Sequence, residues 1–329
     1  SQSGAGLLIT EATAVEPAGR ISWADLGLYD DATEAAFARA LASVRRWSPM
    51  PVGVQLAHAG RKASTHRPWE HGGAQIPPEA PHGWQTVSAS PLPYSAGQHP
   101  PHALDQAGID AVIAAFAASA RRAVRLGLDL IEIHAAHGYL LSSFLSPLTN
   151  LRTDDYGGDH AARARFPLEV FHAVRKVWPE DRPMSVRLST HDWHEGGNTP
   201  EDAAIFARLF KEAGADMIDC SSGQVVKEEK PVYGRLFQTP FSDKIRNEIQ
   251  VPTIAVGAIS EADHANSIIA AGRADLCAIA RPHLADPSFV MHEAAKIGYE
   301  EQPWPKQYHS ARAQYVNNLA RAATTAGKS

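Results

Sequence analysis

The stretch IEIHAAHGYL, residues 131–140, sets His134 and His137 three residues apart at the end of an apolar run, with Gly138 and Tyr139 directly after. Two imidazoles and a phenol in this spacing admit two chemistries. They can ligate a metal together with His58. Alternatively, two neutral N–H donors can polarise a carbonyl or nitro oxygen while the phenol supplies a proton. Metal-dependent barrels usually add carboxylates at other strand ends, where this chain has Gln55, Arg187 and Ser221. A guanidinium beside a divalent cation is also repulsive. The oxygen-binding pair is the better match, and a metal-dependent barrel hydrolase is the alternative.

Such residues need a scaffold that gathers strand ends. Short apolar runs read as strands at 6–15, 51–58, 129–134, 184–189, 216–222, 253–259 and 276–281. Their near-continuous hydrophobicity suits parallel strands covered on both faces. Helical patterns alternate with them. One is capped by Thr199 with Pro200 at its first position and Gly214 at its end. A second repeats the plan with Ser260 and Gly272, and a third places Ile113, Phe116 and Ala120 at helical spacing. This rhythm predicts a single (β/α)8 TIM barrel over 1–329, with chemistry at the carboxyl ends of the strands. Seven strands are legible where the fold has eight. The first βα unit is therefore expected to be absent from this chain, and a barrel fragment needing a partner segment is the third reading. Residues 63–104, with eight prolines, are expected to form a rigid cap over the barrel mouth, and 305–329 a C-terminal tail.

In chain order the strand ends carry Glu11 and Ala12, Gln55 and His58, His134 and His137, Arg187 and Ser189, Ser221 and Ser222, Gly257, and Ala280 with Arg281. The last two ends sit where barrels commonly bind phosphate. Gly257 allows close backbone approach, and Arg281 offers a bidentate fork. No GxGxxG or Walker pattern occurs, so the phosphate is expected to belong to a cofactor held in the barrel mouth.

Composition narrows the class. A net charge of −5 and a pI near 6.3 argue against a nucleic-acid surface. No apolar run reaches membrane-spanning length and no signal peptide opens the chain. Two cysteines, Cys220 and Cys277, rule out a disulfide framework and suit a reducing cytoplasm.

Five segments together resemble one family: QLAHAGRK (55–62), the 131–158 block from IEIHAAHGYL to DDYGG, SVRLS (185–189), DCSSG (219–223) and AIARPHLADP (278–287). They are similar to the old yellow enzymes, FMN-dependent ene-reductases, and most of all to the thermophilic-like subgroup, over roughly residues 3–310. The stretch KEEKPVYGRLFQTPFSDKIRNE also resembles the reductase half of two-part aryl-CoA monooxygenases. The resemblance implies FMN across the barrel mouth, reduced by NAD(P)H and delivering hydride to an activated alkene. It implies that His134 and His137 bind the activating oxygen and Tyr139 protonates the α-carbon. Gln55 and Arg187 would contact the flavin ring edge, Ala12 would pack near the ring, and Gly257, Ala280 and Arg281 would take the phosphate. Lys62 would sit near the cofactor. It further implies a homodimer or homotetramer in which Arg312 reaches the neighbouring subunit's site. The family's first strand, which often brings a flavin-tuning cysteine and a pocket tyrosine, has no counterpart here. Two cysteines cannot hold the four-cysteine iron–sulfur cluster of the dienoyl-CoA reductase type.

Overall fold

The computed structural model describes residues 3–326. All seven expected strands form: β1 (Leu8–Ala14), β2 (Val52–Ala57), β5 (Leu130–Ala135), β6 (Met184–Ser189), β7 (Met217–Ser221), β8 (Thr253–Val256) and β9 (Leu276–Ala278). They make one parallel sheet in the order β1-β2-β5-β6-β7-β8-β9. A second, two-stranded ladder, β3 (Val87–Ser88) with β4 (His102–Ala103), lies in the 63–104 segment. The helices are α1 (Asp31–Arg45), α2 (Gln106–Arg125), α3 (Leu140–Leu145), α4 (His160–Arg175), α5 (Pro200–Glu212), α6 (Thr239–Lys244), α7 (Ala262–Ala270), α8 (Arg281–Ala285), α9 (Phe289–Lys296) and α10 (His309–Ala326).

Among the described residues no ladder joins β1 to β9, so the curled sheet has two edges. Leu8 on β1 and Leu276 on β9 are correspondingly exposed, at 40% and 43%. Every inner strand is buried on both faces, and the two faces differ in kind. Val54, Leu56, Ile131, Ile133, Val186, Leu188, Ile218 and Cys220 face outward and share one buried cluster with Phe116, Phe166, Phe171 and Phe210 of the surrounding helices. The alternate positions Gln55, Glu132, His134, Ser185, Arg187, Asp219 and Ser221 face the interior. The strands therefore alternate apolar and polar with a period of two, which a count of hydrophobic content alone conceals.

Two local expectations change. The 253–259 and 276–281 runs stop as strands at Val256 and Ala278, so Gly257 begins the following loop and Arg281 opens α8. Ser260 does not cap α7. Glu261 occupies the N-cap without a side-chain hydrogen bond, and Ser260 Oγ lies 3.4 Å from His264 Nδ1. Thr199 behaves as expected, closing a capping box with Asp202 at the start of α5.

The proline-rich 63–104 segment is fastened rather than loose. Arg61 donates to the carbonyls of Leu92 and Pro93, Arg152 donates to those of Ala89 and Leu104, and Ser64 Oγ donates to Ile76 O. It covers a cavity of about 710 Å³ whose floor includes Glu11, Ala12 and Lys62 and whose roof includes His66, Pro68, Trp69 and Tyr94. Among the described residues no helix is long and apolar enough to cross a membrane.

Phe116 is fully buried on α2, whereas Ile205 on α5 is 41% exposed. Phe116→Ala should cost about 3–5 kcal/mol by chemical denaturation. Ile205→Ala should stay within about 0.5 kcal/mol of the parent. Comparable losses in both would contradict this division between core and surface.

Candidate active site

Parallel strands put all seven carboxyl ends on one rim. On it β5 carries His134 as its penultimate residue, and the chain then turns sharply: His137 and Gly138 both adopt left-handed backbone, φ 63° and 69°. A Cβ on Gly138 would lie 2.8 Å from Gln224 O and 2.9 Å from Val225 Cα, so only glycine lets this turn meet the loop after β7. The turn aims both imidazoles and the Tyr139 ring at one another. His134 lies edge-on to His137 and Tyr139 with centroids 5.1 and 4.9 Å apart.

The hydrogen bonds fix the tautomers. The Ala136 amide donates to His134 Nδ1 at 3.2 Å, so that nitrogen carries no proton and Nε2 carries it. His134 Nε2 then donates to His137 Nδ1 at 3.3 Å, which leaves His137 Nε2 to donate to Ser221 Oγ at 2.6 Å. This is the only arrangement of protons that satisfies all three contacts with neutral rings. Burial, and after it the nearby Arg187 cation, hold both histidines well below their ordinary pKa. Tyr139 is pushed up to about 12, mainly by burial and then by Asp25. The site at neutral pH is thus two neutral imidazoles and a protonated phenol.

Arg187, directly across the β5–β6 ladder from His134, is the cation that faces the barrel interior, its side chain 23% exposed. Burial opposes its charge, but Asp219 and then Glu132 outweigh that cost and raise its pKa overall. Its Nε lies 3.5 Å from Asp219 Oδ2. Arg187 Nε and Asp219 Oδ1 have no hydrogen-bond partner, so this pair retains bonding capacity. Glu132 accepts from Gln55 Nε2 at 2.8 Å and Ser185 Oγ at 3.0 Å. Asp219 is raised to about 7, first by burial and also by Glu132, with Arg187 pulling the other way.

The structure brings His134, His137, Tyr139 and Arg187 together, with Lys62 against the same turn. Gln55 reaches this group through Glu132, and Ala12 stands beside Gln55 in the β1–β2 register. Gly257 has a left-handed φ of 105° and packs on Phe237 and Gln238, while Ala280 and the exposed Arg281 mark the start of α8 on the same rim. Arg312 lies on α10, its guanidinium donating to Glu300 O, and no contact joins it to the histidine pair among the described residues. His58 is not part of a triad with His134 and His137. Its Nε2 lies 2.8 Å from Glu16, and its Nδ1 accepts from the Gly60 amide. Among the described residues no three His, Cys, Asp or Glu side chains are grouped to hold a metal. Glu132 and Asp219 escaped the sequence reading, as did the role of Ser221. The period-two alternation of polar residues along β5, β6 and β7 is the signal that would have found them.

The model of the NADH:flavin oxidoreductase / NADH oxidase family matches residues 1–300. The chain belongs to this family. It is an FMN-dependent oxidoreductase that draws on a reduced nicotinamide, and its resemblance to the old yellow enzymes is borne out. An NADPH dehydrogenase of a Geobacillus species is 43% identical over 89% of this chain and 80% of its own length. Morphinone reductase superposes with a TM-score of 0.72 at 27% identity, covering 94% of this chain and 86% of its own. A 2-naphthoyl-CoA reductase shares the fold, with a TM-score of 0.78 at 23% identity and only 46% of its own length covered.

The neutral histidines carry a stability signature. Their folded pKa lies below the ordinary 6.5, so in acid the unfolded chain takes up protons that the folded one refuses. This contribution is complete above 6.5 and is lost as the pH falls below it. Asp219, raised to about 7, works in the opposite sense over the same range. The melting temperature of His134→Gln/His137→Gln should therefore fall less between pH 7 and 5 than that of the parent. Parallel curves would show that the imidazoles are not held neutral.

Proposed function

We propose that the protein is an ene-reductase, using NAD(P)H to reduce the C=C bond of α,β-unsaturated carbonyl or nitro compounds. The observation that carries this reading is the neutral, mutually hydrogen-bonded His134–His137 pair beside a protonated Tyr139 and an inward-facing Arg187. A metal centre would require imidazole lone pairs free to ligate, whereas here the lone pairs accept N–H groups and the N–H groups face outward along the chain of contacts.

The residues present fit FMN on their chemistry. Arg187 supplies an inward-facing cation with an unpartnered Nε, suited to the edge of a ring that becomes anionic on reduction. Gln55, Arg187 and Ala12 would hold the ring, and Gly257, Ala280 and Arg281 the phosphate. Bound there, FMN would supply hydride transfer from the nicotinamide to the β-carbon of the alkene. The 3.3 Å contact between His134 and His137 is the long one of its chain, and a ligand oxygen inserted there would take the His134 proton in hydrogen bond. For His137 to donate as well, its proton moves from Nε2 to Nδ1 and Ser221 Oγ donates to Nε2 instead; two neutral donors then polarise that oxygen without protonating it, drawing electron density from the β-carbon. Tyr139 gives its proton to the α-carbon and recovers one from solvent. The products are the saturated compound and oxidised nicotinamide.

The purified protein should show a flavin absorbance band that NADPH bleaches and cyclohexenone restores; a reduced band indifferent to any activated alkene would exclude the alkene reaction. His134→Ala/His137→Ala should weaken binding of 4-chlorophenol about 10- to 100-fold, the worth of two neutral hydrogen bonds, with flavin retained. Tyr139→Phe should slow reoxidation by cyclohexenone about 10²–10⁴-fold while reduction by NADPH is nearly unchanged. Equal slowing of both half-reactions would remove Tyr139 from the proton step.

A further inference from the structure

Lys62 stands out because, among the described residues, its ammonium forms no close ion pair, and Glu229 acts on it only at longer range. It ends the short 3-10 turn Gly60–Lys62 that follows β2. Its Nζ donates to His137 O at 2.8 Å and to Gln224 O at 3.0 Å. The remaining near neighbours of the ammonium are two ring faces, Tyr94 at 4.4 Å and Tyr139 at 5.0 Å from their centroids.

Both acceptors belong to left-handed turns. His137 and Gly138 have φ of 63° and 69°, and Gly223 and Gln224 have 71° and 61°. A non-glycine residue held there costs on the order of 1–3 kcal/mol and persists only when its surroundings over-determine it. Three contacts supply that here. The His137 amide donates to Ser189 Oγ, which in turn donates to Gly223 O, linking the two turns through a neutral hydroxyl. His137 Nε2 reaches Ser221 Oγ. Lys62 is the third and the one cation that reaches both turns; the Glu229 carboxylate accepts from the Gln224 amide on the β7 side, and Arg61 fixes the next carbonyl, Val225 O. The two turns belong to elements far apart in sequence, and Lys62 comes from a third.

We propose that Lys62 is a positioning residue for the site: its ammonium crosslinks the carbonyls of His137 and Gln224 and so holds the turn from which His137 and Tyr139 face the ligand. This rests on the reading that the histidine pair receives the ligand's oxygen. Charge-assisted bonds to carbonyls are about twice as strong as neutral ones, which suits a clamp on backbone that would otherwise relax. Burial, and then Arg61, bring the Lys62 pKa down to about 7, with Glu229 pulling the other way.

A double-mutant cycle on the full, FMN-loaded chain tests the clamp, with 4-chlorophenol binding read by calorimetry and flavin content by absorbance. Lys62→Met should bind the phenol about tenfold or more weakly with flavin content unchanged, and Lys62→Arg, which keeps cationic donors, should recover most of the loss. Because Lys62 acts through His137, adding Lys62→Met to His137→Ala should weaken binding by no more than about twofold further. Additive losses, or parent-like binding by Lys62→Met where His137→Ala is impaired, would overturn the clamp and leave the histidine reading intact. Parent-like binding by His137→Ala would overturn both. If Lys62→Met fails to retain flavin, Lys62→Gln carries the same cycle with a shorter neutral donor, and the same outcomes decide.

Discussion

The site depends on one inward-facing charge. The Arg187 side chain is only 23% exposed, so water solvates its guanidinium poorly, and it stays charged because Asp219 and Glu132, from the strands on either side, face it. That cation is in turn a principal reason, after burial, that His134 and His137 are neutral. Neutrality gives each ring one donor and one acceptor, which is what lets them form an ordered chain from the Ala136 amide to Ser221. Were either ring cationic it would have to donate at both nitrogens, and the contact from Ala136 or from His134 would become repulsive. The acidic layer inside the barrel thus sets the protonation of the rim above it.

A second constraint is conformational. The Gly138 turn can approach the β7 loop only without a Cβ, and His137 must accept a left-handed backbone to reach Ser221. Lys62, Ser189 and Ser221 share the work of holding it. The cap contributes through the same dipeptide, because Arg61 fastens Leu92 and Pro93 while Lys62 fastens the turn that carries His137. Cap and rim are therefore one mechanical unit.

Much of this was legible in the sequence. The seven strands, the capped α5 and the rim position of His134, His137, Tyr139 and Arg187 all follow from period, caps and strand ends. The start of α7 was misjudged because a serine before a helix can bond elsewhere, and Ser260 meets His264. The two final strands were read too long because apolar residues past Ala278 resemble a strand until Pro282 sets the start of α8. Glu132 and Asp219 went unread because an apolar average over a strand hides which alternate residue turns inward.

The sequence by itself determined the fold class, the family and the residue types at the rim, because hydrophobic period and the chemistry of side chains are properties of short stretches. Only the tertiary structure decided the tautomers of the histidines, the charge state of the interior and the partners of Lys62. Those follow from burial and from distances between residues as far apart as 62, 137 and 224, and neither burial nor distance across the fold is written in the order of the chain.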